Sequence, residues 1–539
     1  MKAHKKPKEF LQRKKELMKK RGNFSTLWES CAKHILPDRA EFLTSKTVGD
    51  ENVSIFDTTA IDANFVLAGW IWSQMTNPST HWFKCRVKNK LKREIWSVKE
   101  WFRLINDIMY DSFANSNFYD SMNSFYLVMG AIGTAPMFMN INRKEFKLQF
   151  TEITVRDTLL SENQGVVDTM YRTFKWSVRV MAAEWGEENL SKKAKELIAD
   201  KKYDEELSIL HIVEPYSDYN KDSLRGDEKP FRSVYMEEKE EHILEVGGYD
   251  VFPYVIGRFY RWSDSVYGRS PGMLALPDIR TADDQDKTNL RAGHKAVMPP
   301  LNIPGDMKGR VRTTPNALNF MGKSGEGITP IDTGLKGLPH AKDALERKQQ
   351  KIEDKFFKRI ILMLDSSGNV YKNIPEIMAR EQEKMSVIGA PIGRLMHQVL
   401  GPIIEWAFLE HLKAGRFPEP PNELIDEEID VEYTSPLAMT QKQLEVSSIS
   451  RAMEMSVPAI QLNEEAKDNI NTDKYIQKIF NVYGAEEVLN SPEEIEDTRL
   501  QRQQAQQEQM EQQQLAEGIQ AAKTAVETGK GVAEIEEMI

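Results

Sequence analysis

Residues 267–364 form a helix-compatible segment, a Pro/Gly-rich excursion and a second helix-compatible segment. The first segment runs from 272 to 297 and ends before Pro299-Pro300, because proline cannot continue a helix. The excursion, 301–339, holds four prolines and seven glycines, which favour irregular or short-stranded structure. The returning segment, 341–364, would be about 36 Å long as one helix. The rest of the chain has to accommodate this long helical pair.

The returning segment has two chemically different faces. On a helical wheel its apolar residues fall within about 60° of one another, and a basic set lies roughly opposite. The apolar set is Leu345, Ile352, Phe356 and Ile360, and the basic set is Arg347, Lys351, Lys355 and Lys358. Seven Lys/Arg against four Asp/Glu reverse the sign of a chain whose net charge is −10. The pattern fits either a solvated face of an ordinary amphipathic helix or a face that contacts a polyanion.

Size and composition limit the classes of protein that this chain can belong to. A chain of 539 residues exceeds what one core supports, so several domains are expected. The acidic balance argues against a protein that coats nucleic acid, but it permits one that lets DNA pass. Cys31 and Cys85 are too few for a disulfide framework, which indicates folding in a reducing compartment.

The sequence gives no signal for secretion or membrane insertion. Ten Lys/Arg lie between Lys2 and Arg21, but no apolar segment follows them, so we expect no signal peptide. The longest uncharged run, 125–142, contains Gly130, Gly133 and Pro136 and is typical of buried core. We therefore expect no membrane contact.

Hydrophobic periodicity predicts a mainly α chain with an α+β middle. Helical spacing dominates the first 140 residues, with helices predicted over 59–75, 99–113 and 119–129 and a cap at Asp57 or Thr58. Strand-like alternation follows to about 260, interrupted by short helices at 177–185 and 191–201, with Gly247-Gly248 as a predicted hairpin turn.

The C-terminal third is predicted to be helical again. A long helix over 375–414 contains Gly389, Pro391 and Gly401-Pro402, where kinks are expected, and 429–433 should form a strand. Helical spacing resumes at 440, and the Gln-rich tail after Pro492 fits either a solvated helix or disorder.

Motifs of catalysis and metal binding are absent or incomplete. Gly322-Lys323-Ser324 resembles the end of a phosphate-binding loop, but Ala317 replaces the required glycine. No G-x-S-x-G occurs, because Glu326 stands at its last position, and the nine histidines form no ligand cluster. We therefore predict no enzyme activity, no catalytic residue, no cofactor and no metal, and only sequence-blind contacts to phosphates.

A series of short motifs resembles the portal protein (head-to-tail connector) family of short-tailed, podovirus-like bacteriophages. The N-terminal matches are Trp28, Pro37-Asp38-Arg39, Phe42, Phe56-Asp57-Thr58-Thr59-Ala60, Leu67-Ala68-Gly69, Met75-Thr76-Asn77-Pro78 and Trp82-Phe83. The central matches are Gly133-Thr134-Ala135, Gly248-Tyr249, Phe252-Pro253, Arg258, Tyr267-Gly268-Arg269-Ser270-Pro271 and Pro299-Pro300. The C-terminal matches are Glu381, Gly389, Arg394-Leu395, Leu400-Gly401-Pro402, Tyr433-Thr434-Ser435-Pro436-Leu437-Ala438 and Gln441. They cover about residues 24–441 in the expected order, with Ile392 and Met396 as apolar departures.

The resemblance implies the portal fold, mainly α with an α+β wing, assembled as a ring of usually twelve copies. It divides the chain into an N-terminal wing (1–265), a first stem helix (266–300), a clip (301–339), a second stem helix (340–364), a tunnel loop (365–373), a wing helix with return strand (374–440), and a crown with the Gln-rich tail (441–539).

The resemblance also gives the basic residues their expected roles. Arg347, Lys351, Lys355 and Lys358, with Lys372 in the tunnel loop, are the candidates to line the DNA channel. The clip candidates for motor or adaptor contacts are Lys308, Arg310, Arg312 and Lys323. The alternative is that the stem residues face outward or pair with Glu353 and Asp354 of a neighbouring copy.

The implied function is genome packaging, retention and ejection through a channel at one capsid vertex. Expected partners are further copies of the chain, double-stranded DNA, the packaging terminase, scaffolding and major capsid proteins, and tail adaptor or nozzle proteins. The expected locations are the virion and, during assembly, the host cytoplasm. The competing predictions are another ring-shaped head–tail adaptor and, with less support, an enzyme that processes nucleic acid.

Overall fold

In a computed structural model of the chain, the helical spacing of the N-terminal region forms five helices. They are α1 (Pro7–Arg21), α2 (Phe24–Ile35), α3 (Thr59–Met75), α4 (Trp96–Ala114) and α5 (Phe118–Ile132). Asp57 caps α3, because its carboxylate accepts hydrogen bonds from the Thr59 amide at 3.1 Å and from the Thr59 hydroxyl. The predictions of these helices and of the Asp57 cap are confirmed.

The structure describes most of the chain, in two units. The described residues are 6–37, 55–220, 225–262, 265–303, 328–330, 338–362, 388–424, 427–434, 448–458, 469–483, 488–490, 494–510 and 512. Unit 1 comprises Met1–Asn89 and Trp101–Pro436, and unit 2 comprises Lys90–Glu100 and Leu437–Ile539. No described helix is both long and apolar enough to cross a membrane.

A five-stranded antiparallel sheet forms the larger β layer of unit 1. Its strands lie in the order β4 (Thr158–Asn163), β5 (Val166–Ser177), β6 (Glu206–Pro215), β7 (Phe231–Glu237) and β8 (His242–Tyr249). Alternation along β6 sends Leu210 and Ile212 to one face and Leu207 and Ile209 to the other. Helix α1 covers the first face, and α6 (Val178–Trp185) and α7 (Lys192–Ala199) cover the second.

The predicted turn at Gly247-Gly248 is wrong. Both glycines lie inside β8, opposite Ser233 and Arg232, and β7 ends at Glu237, before the connection to β8. A Cβ on Gly248 would lie 2.5 Å from the Gly226 carbonyl oxygen, so this position serves a close backbone approach.

A second, three-stranded sheet contains the predicted buried run. It pairs β3 (Lys147–Glu152), β2 (Thr134–Asn142) and β9 (Tyr254–Arg258), with β2 in the centre. The run 125–142 forms the end of α5 and all of β2, and it is buried from 125 to 139 except at Leu127. Gly133 joins them in the left-handed conformation (φ 85°), where a Cβ would lie 2.5 Å from the Arg269 carbonyl carbon.

A two-stranded antiparallel sheet joins the C-terminal part of unit 1 to its N-terminal part. β12 (Ile429–Tyr433) pairs with β1 (Phe83–Val87), which confirms the predicted strand at 429–433. The predicted irregularity near Gly401-Pro402 is a π-helical turn, Met396–Leu400, followed by α11 (Gly401–Lys413). The Tyr433 hydroxyl donates to the Met396 carbonyl at 2.7 Å and so ties this turn to β12.

Unit 2 is largely helical where it is described. Its elements include 448–458, α12 (Thr472–Tyr483) and 494–510. Arg499 pairs with Asp473 at 2.7 Å. The described Gln-rich segment is therefore a helix, and its side chains are almost all exposed.

Replacing Glu237 by glutamine should stabilise the protein at neutral pH by about 1–2 kcal/mol. Its side chain is 1% exposed and neither carboxylate oxygen has a hydrogen-bond partner. Burial raises the pKa of Glu237, although the nearby Ser191 hydroxyl acts in the opposite direction. The pKa of Glu237 is therefore higher in the folded protein than in the unfolded chain. As the pH rises from the unfolded pKa through the folded pKa, the unfolded state loses its proton more readily and the folded state loses stability. Urea unfolding between pH 4 and 8 measures this.

The adjacent Glu238 is the matched control. It forms an ion pair with Lys14 at 2.6 Å, so Glu238→Gln should not stabilise the protein. Equal responses of the two variants at pH 7 would contradict the assignment of Glu237 as a buried, uncompensated carboxylate.

Candidate nucleic-acid interface

The predicted helical pair is present as α8 (Pro271–Val297) and α9 (Leu338–Lys355), packed against each other. Ser270 begins α8: its hydroxyl accepts from the Met273 amide at 2.8 Å and donates to the Ala131 carbonyl at 2.7 Å. At 27 residues, α8 is about 40 Å long. Beyond it, β10 (Leu301–Asn302) pairs with β11 (Thr329–Pro330) and brings the two ends of the excursion together.

The returning helix is interrupted, which differs from the prediction of one helix over 341–364. Helix α9 ends at Lys355 and α10 (Lys358–Leu362) begins after a two-residue turn, in which Phe357 is left-handed (φ 61°). The ring of Phe357 lies 6.4 Å from that of Phe259. We attribute the break to this contact, because no proline or glycine occurs there and local propensity favours a helix.

The apolar face of α9 is buried as predicted up to the break. Ile352 and Phe356 are fully buried and Leu345 nearly so. After the break Ile361, not Ile360, takes the most buried position, because the turn shifts the helical phase.

The basic face of α9 presents three uncompensated charges. Arg347, Lys351 and Lys355 are exposed and form no ion pair with any described residue. They are four residues apart, so they form a row with about 6 Å between neighbours. We call these three residues the α9 row.

Lys358 differs from the α9 row. It lies beyond the break and pairs with Glu353 at 2.9 Å, while Arg359 pairs with Asp354 at 3.3 Å. Both pairs join residues five apart across the turn. Glu353 and Asp354, which sequence reasoning considered as partners in a neighbouring copy, therefore have partners within their own chain.

Carboxylates on α8 bind it to the segment before α3 and to α9. The sequence analysis did not identify these carboxylates as structural. Asp283 on α8 accepts from the backbone amides of Phe56 at 2.6 Å and Asp57 at 3.1 Å. Lys348 on α9 pairs with Asp278 on α8 at 2.7 Å. Partial burial, followed by the charges of Asp57 and Asp283, raises the pKa of Asp286. The Lys348–Asp278 pair fixes α9 against α8 and so restricts the direction in which the α9 row faces.

A buried arginine connects β9 to the segment before α8 and to the π-helical turn. Arg258, at the end of β9, is 2% exposed and donates to Glu162 at 2.6 Å and to the carbonyls of Gly165 (2.7 Å) and Val266 (3.3 Å). Its Nε also donates to Gln398 in the π-helical turn at 3.3 Å. The sequence signals were an arginine at the end of the apolar segment 254–258 and its place among the motifs that resemble the portal family.

Lys372 and the clip residues Lys308, Arg310, Arg312 and Lys323 lie outside the described residues. Among the residues that are described, no group of three His, Cys, Asp or Glu could hold a metal ion.

One Ser–His pair bears on the enzyme alternative. His411 Nε2 lies 2.8 Å from the Ser112 hydroxyl, and its Nδ1 lies 2.7 Å from the Ala407 carbonyl oxygen. A carbonyl in the same helix thus takes the position that a carboxylate holds in a catalytic triad. Burial lowers the pKa of His411, and its ring packs between Phe146 and Phe417. This geometry is that of a packed structural histidine.

Comparison with known proteins assigns the family. The model of the bacteriophage head to tail connecting protein family matches residues 7–489. The chain belongs to this family. The connector is 26% identical over 525 residues to the portal protein of Salmonella phage epsilon15, covering 95% of this chain and 94% of the relative. It is also 26% identical over 522 residues to the probable portal protein of Bordetella phage BPP-1, with the same coverage.

Structural similarity to the connector is more distant. A chain from the virion of a native gene transfer agent particle matches with a TM-score of 0.37 and 9% identity, over 74% of this chain and 88% of that one. The family assignment therefore depends on sequence, and it confirms the resemblance to phage portal proteins. The connector is a virion component of the phage head–tail junction.

Proposed function

We propose that copies of this connector close into a ring at one capsid vertex and that duplex DNA passes through it during packaging and ejection. The observation that carries this proposal is the α9 row: three exposed cations with no described partner, on the side of a helix opposite a buried face, in a chain of net charge −10. Such a row attracts phosphates without reading bases.

The small number of exposed cations on an acidic chain suits the passage of DNA better than its tight binding. Each neutralised phosphate adds to a salt-dependent affinity, so a fully basic lining would hold the duplex. A narrow basic row on an acidic protein guides the DNA and keeps the total affinity low. In this arrangement, the paired Lys358 contributes less than the α9 row.

Exposed apolar side chains support contact between copies. Leu290 and Val297 are seven residues apart on the same side of α8, and they are 50% and 81% exposed. Contiguous exposed apolar surface with a polar rim marks sites of contact with other proteins. In a ring, an adjacent copy would cover them, since each subunit presents the same two surfaces to its neighbours.

The finer assignments extend this proposal. The excursion 301–339, with Lys308, Arg310, Arg312 and Lys323, would meet the terminase and later the tail adaptor, and Lys372 would approach the DNA. Scaffolding and major capsid proteins would contact the wing, with assembly in the host cytoplasm. The named relatives are portal proteins matched over nearly their whole length, which favours a portal over a smaller ring-shaped adaptor.

Native mass spectrometry of the purified full chain, with negative-stain microscopy, tests the ring. We expect a species of about twelve times the 62.0 kDa chain mass, seen as rings with a central hole. Single subunits that never form rings, even with scaffolding protein and procapsids supplied, would contradict the proposal.

A further inference from the structure

Helix α1 is held to the five-stranded sheet by one face only. Phe10 and Leu17 are buried in the core formed with β4 to β8. The guanidinium of Arg232 lies 5.5 Å from the Phe10 ring centre, and Lys14 pairs with Glu238 at 2.6 Å. Near the C-terminal end of α1, Arg21 donates to the backbone carbonyl of Arg156. These contacts are spread along the helix and fix its rotation.

The opposite face of α1 carries a second group of uncompensated cations. Lys8, Lys15 and Lys19 are exposed and have no hydrogen-bond or ion-pair partner among the described residues. On a helical wheel with about 100° per residue, the three lysines lie within about 40° of one another. Their mean direction is about 190° from that of Phe10 and Leu17, on the opposite side of the helix. We call these three residues the α1 lysine face.

Helix stability does not account for this charge. Residues 6–21 contain eight Lys/Arg and two Glu. Cations near the C-terminal end of a helix are favourable, which suits Lys19, but Lys8 lies in the first turn, where the helix dipole opposes a positive charge. The α1 lysine face therefore includes a charge that costs stability.

The other side of the same sheet lacks this imbalance. Residues 178–202, which include α6 and α7, contain six Lys/Arg and five Asp/Glu. Lys202 pairs with Asp200 at 3.4 Å, and Lys195 donates to the Glu188 carbonyl at 2.8 Å. The side of the sheet covered by α6 and α7 therefore has almost no excess positive charge.

The chemistry of the α1 lysine face favours phosphates over an acidic protein. Protein interfaces are organised around desolvated apolar or aromatic anchors. Among the described residues of α1, Met18 is the large apolar side chain that is exposed, at 48%. Exposed lysines that surround no apolar anchor suit a partner that is recognised by its charge alone.

We propose that the α1 lysine face is a second contact for the phosphate backbone of duplex DNA, distinct from the α9 row and independent of base sequence. The proposal rests on the proposed function, which places DNA beside the connector. It assigns the wing, and not only the channel, a direct role in holding the genome.

The proposal is tested by measuring how a random-sequence 40-base-pair duplex binds to the assembled full-length protein. Fluorescence anisotropy from 50 to 300 mM salt gives the affinity. The triple variant Lys8→Gln, Lys15→Gln, Lys19→Gln should lower the slope of log K against log salt by about 2.7, or about 0.9 for each lost contact. The affinity at 0.15 M salt should fall about 100-fold. The matched control, Lys192→Gln, Lys195→Gln, Lys202→Gln, removes the same charge from the other side of the sheet and should leave the slope unchanged.

The α9 triple variant, Arg347→Gln, Lys351→Gln, Lys355→Gln, separates this inference from the proposed function. If the α9 variant lowers the slope and the α1 variant does not, the inference is overturned and the proposed function stands. If only the α1 variant lowers it, the inference holds and the role of the α9 row fails. An unchanged slope with poorer incorporation of the α1 variant into procapsids overturns the inference in favour of an acidic protein partner.

Discussion

Replacing Arg347, Lys351 and Lys355 together by glutamine should weaken duplex binding by the assembled connector about 100-fold at 0.15 M salt. The three side chains are exposed and unpaired among the described residues, so their removal breaks no internal contact. Each lost phosphate contact should remove about 0.9 from the salt dependence of log K. Anisotropy titrations at several salt concentrations measure the slope, and retention of packaged DNA measures its consequence in particles.

A charge-preserving variant is the control for this prediction. Lys351→Arg with Lys355→Arg keeps the row positive and should retain the slope, because phosphate contacts of this kind depend on charge. Lys358→Gln, which removes a lysine already paired with Glu353, should have a smaller effect than any member of the α9 row. Normal binding and normal retention in the triple variant at every salt concentration would show that the row does not contact DNA.

The largest expected effect on stability comes from Arg258→Met, which should lower the free energy of unfolding by about 3–5 kcal/mol. The substitution leaves Glu162 and two backbone carbonyls without their buried donor. It also removes the contact between β9 and the π-helical turn through Gln398. Urea unfolding followed by tryptophan fluorescence measures the loss.

Arg261→Met is the matched control for Arg258. Arg261 pairs with the same Glu162 at 3.2 Å, but its side chain is about one-third exposed. Its removal should cost about 1 kcal/mol or less. Similar losses in the two variants would show that burial of the Arg258 contacts does not determine their contribution.

The sequence predicted elements whose signals are local. Helix α8 was predicted almost to the residue, because Pro271 begins it and Pro299-Pro300 follows its end. The Asp57 cap was one of two local alternatives, and the structure selected it.

Features decided by distant contacts were missed. Nothing near Phe357 predicts a left-handed residue, since the contact that accompanies it is with Phe259, about a hundred positions earlier. The same break brings Lys358 within reach of Glu353, so Lys358 does not continue the α9 row as the helical wheel indicated. Gly247-Gly248 has the composition of a turn, but both residues lie inside β8, and the close approach of the Gly226 and Phe231 carbonyl oxygens to Gly248 has no local sequence signal.

The charge of α1 was visible in the sequence, but the direction of its lysines was not. Its rotation depends on contacts with Arg232 and Glu238, more than two hundred residues away. The roles of both basic surfaces therefore required the structure, because a charge count does not say which side of a helix is covered.

A cryo-EM reconstruction of the assembled connector, viewed along its axis, tests the central proposal most directly. It measures the distance of each α9 side chain from the axis. We predict that Arg347, Lys351 and Lys355 line the central hole and that the Leu290–Val297 side of α8 lies against an adjacent copy. A ring whose α9 row faces outward or is buried between subunits, or a preparation that contains no rings, would contradict it.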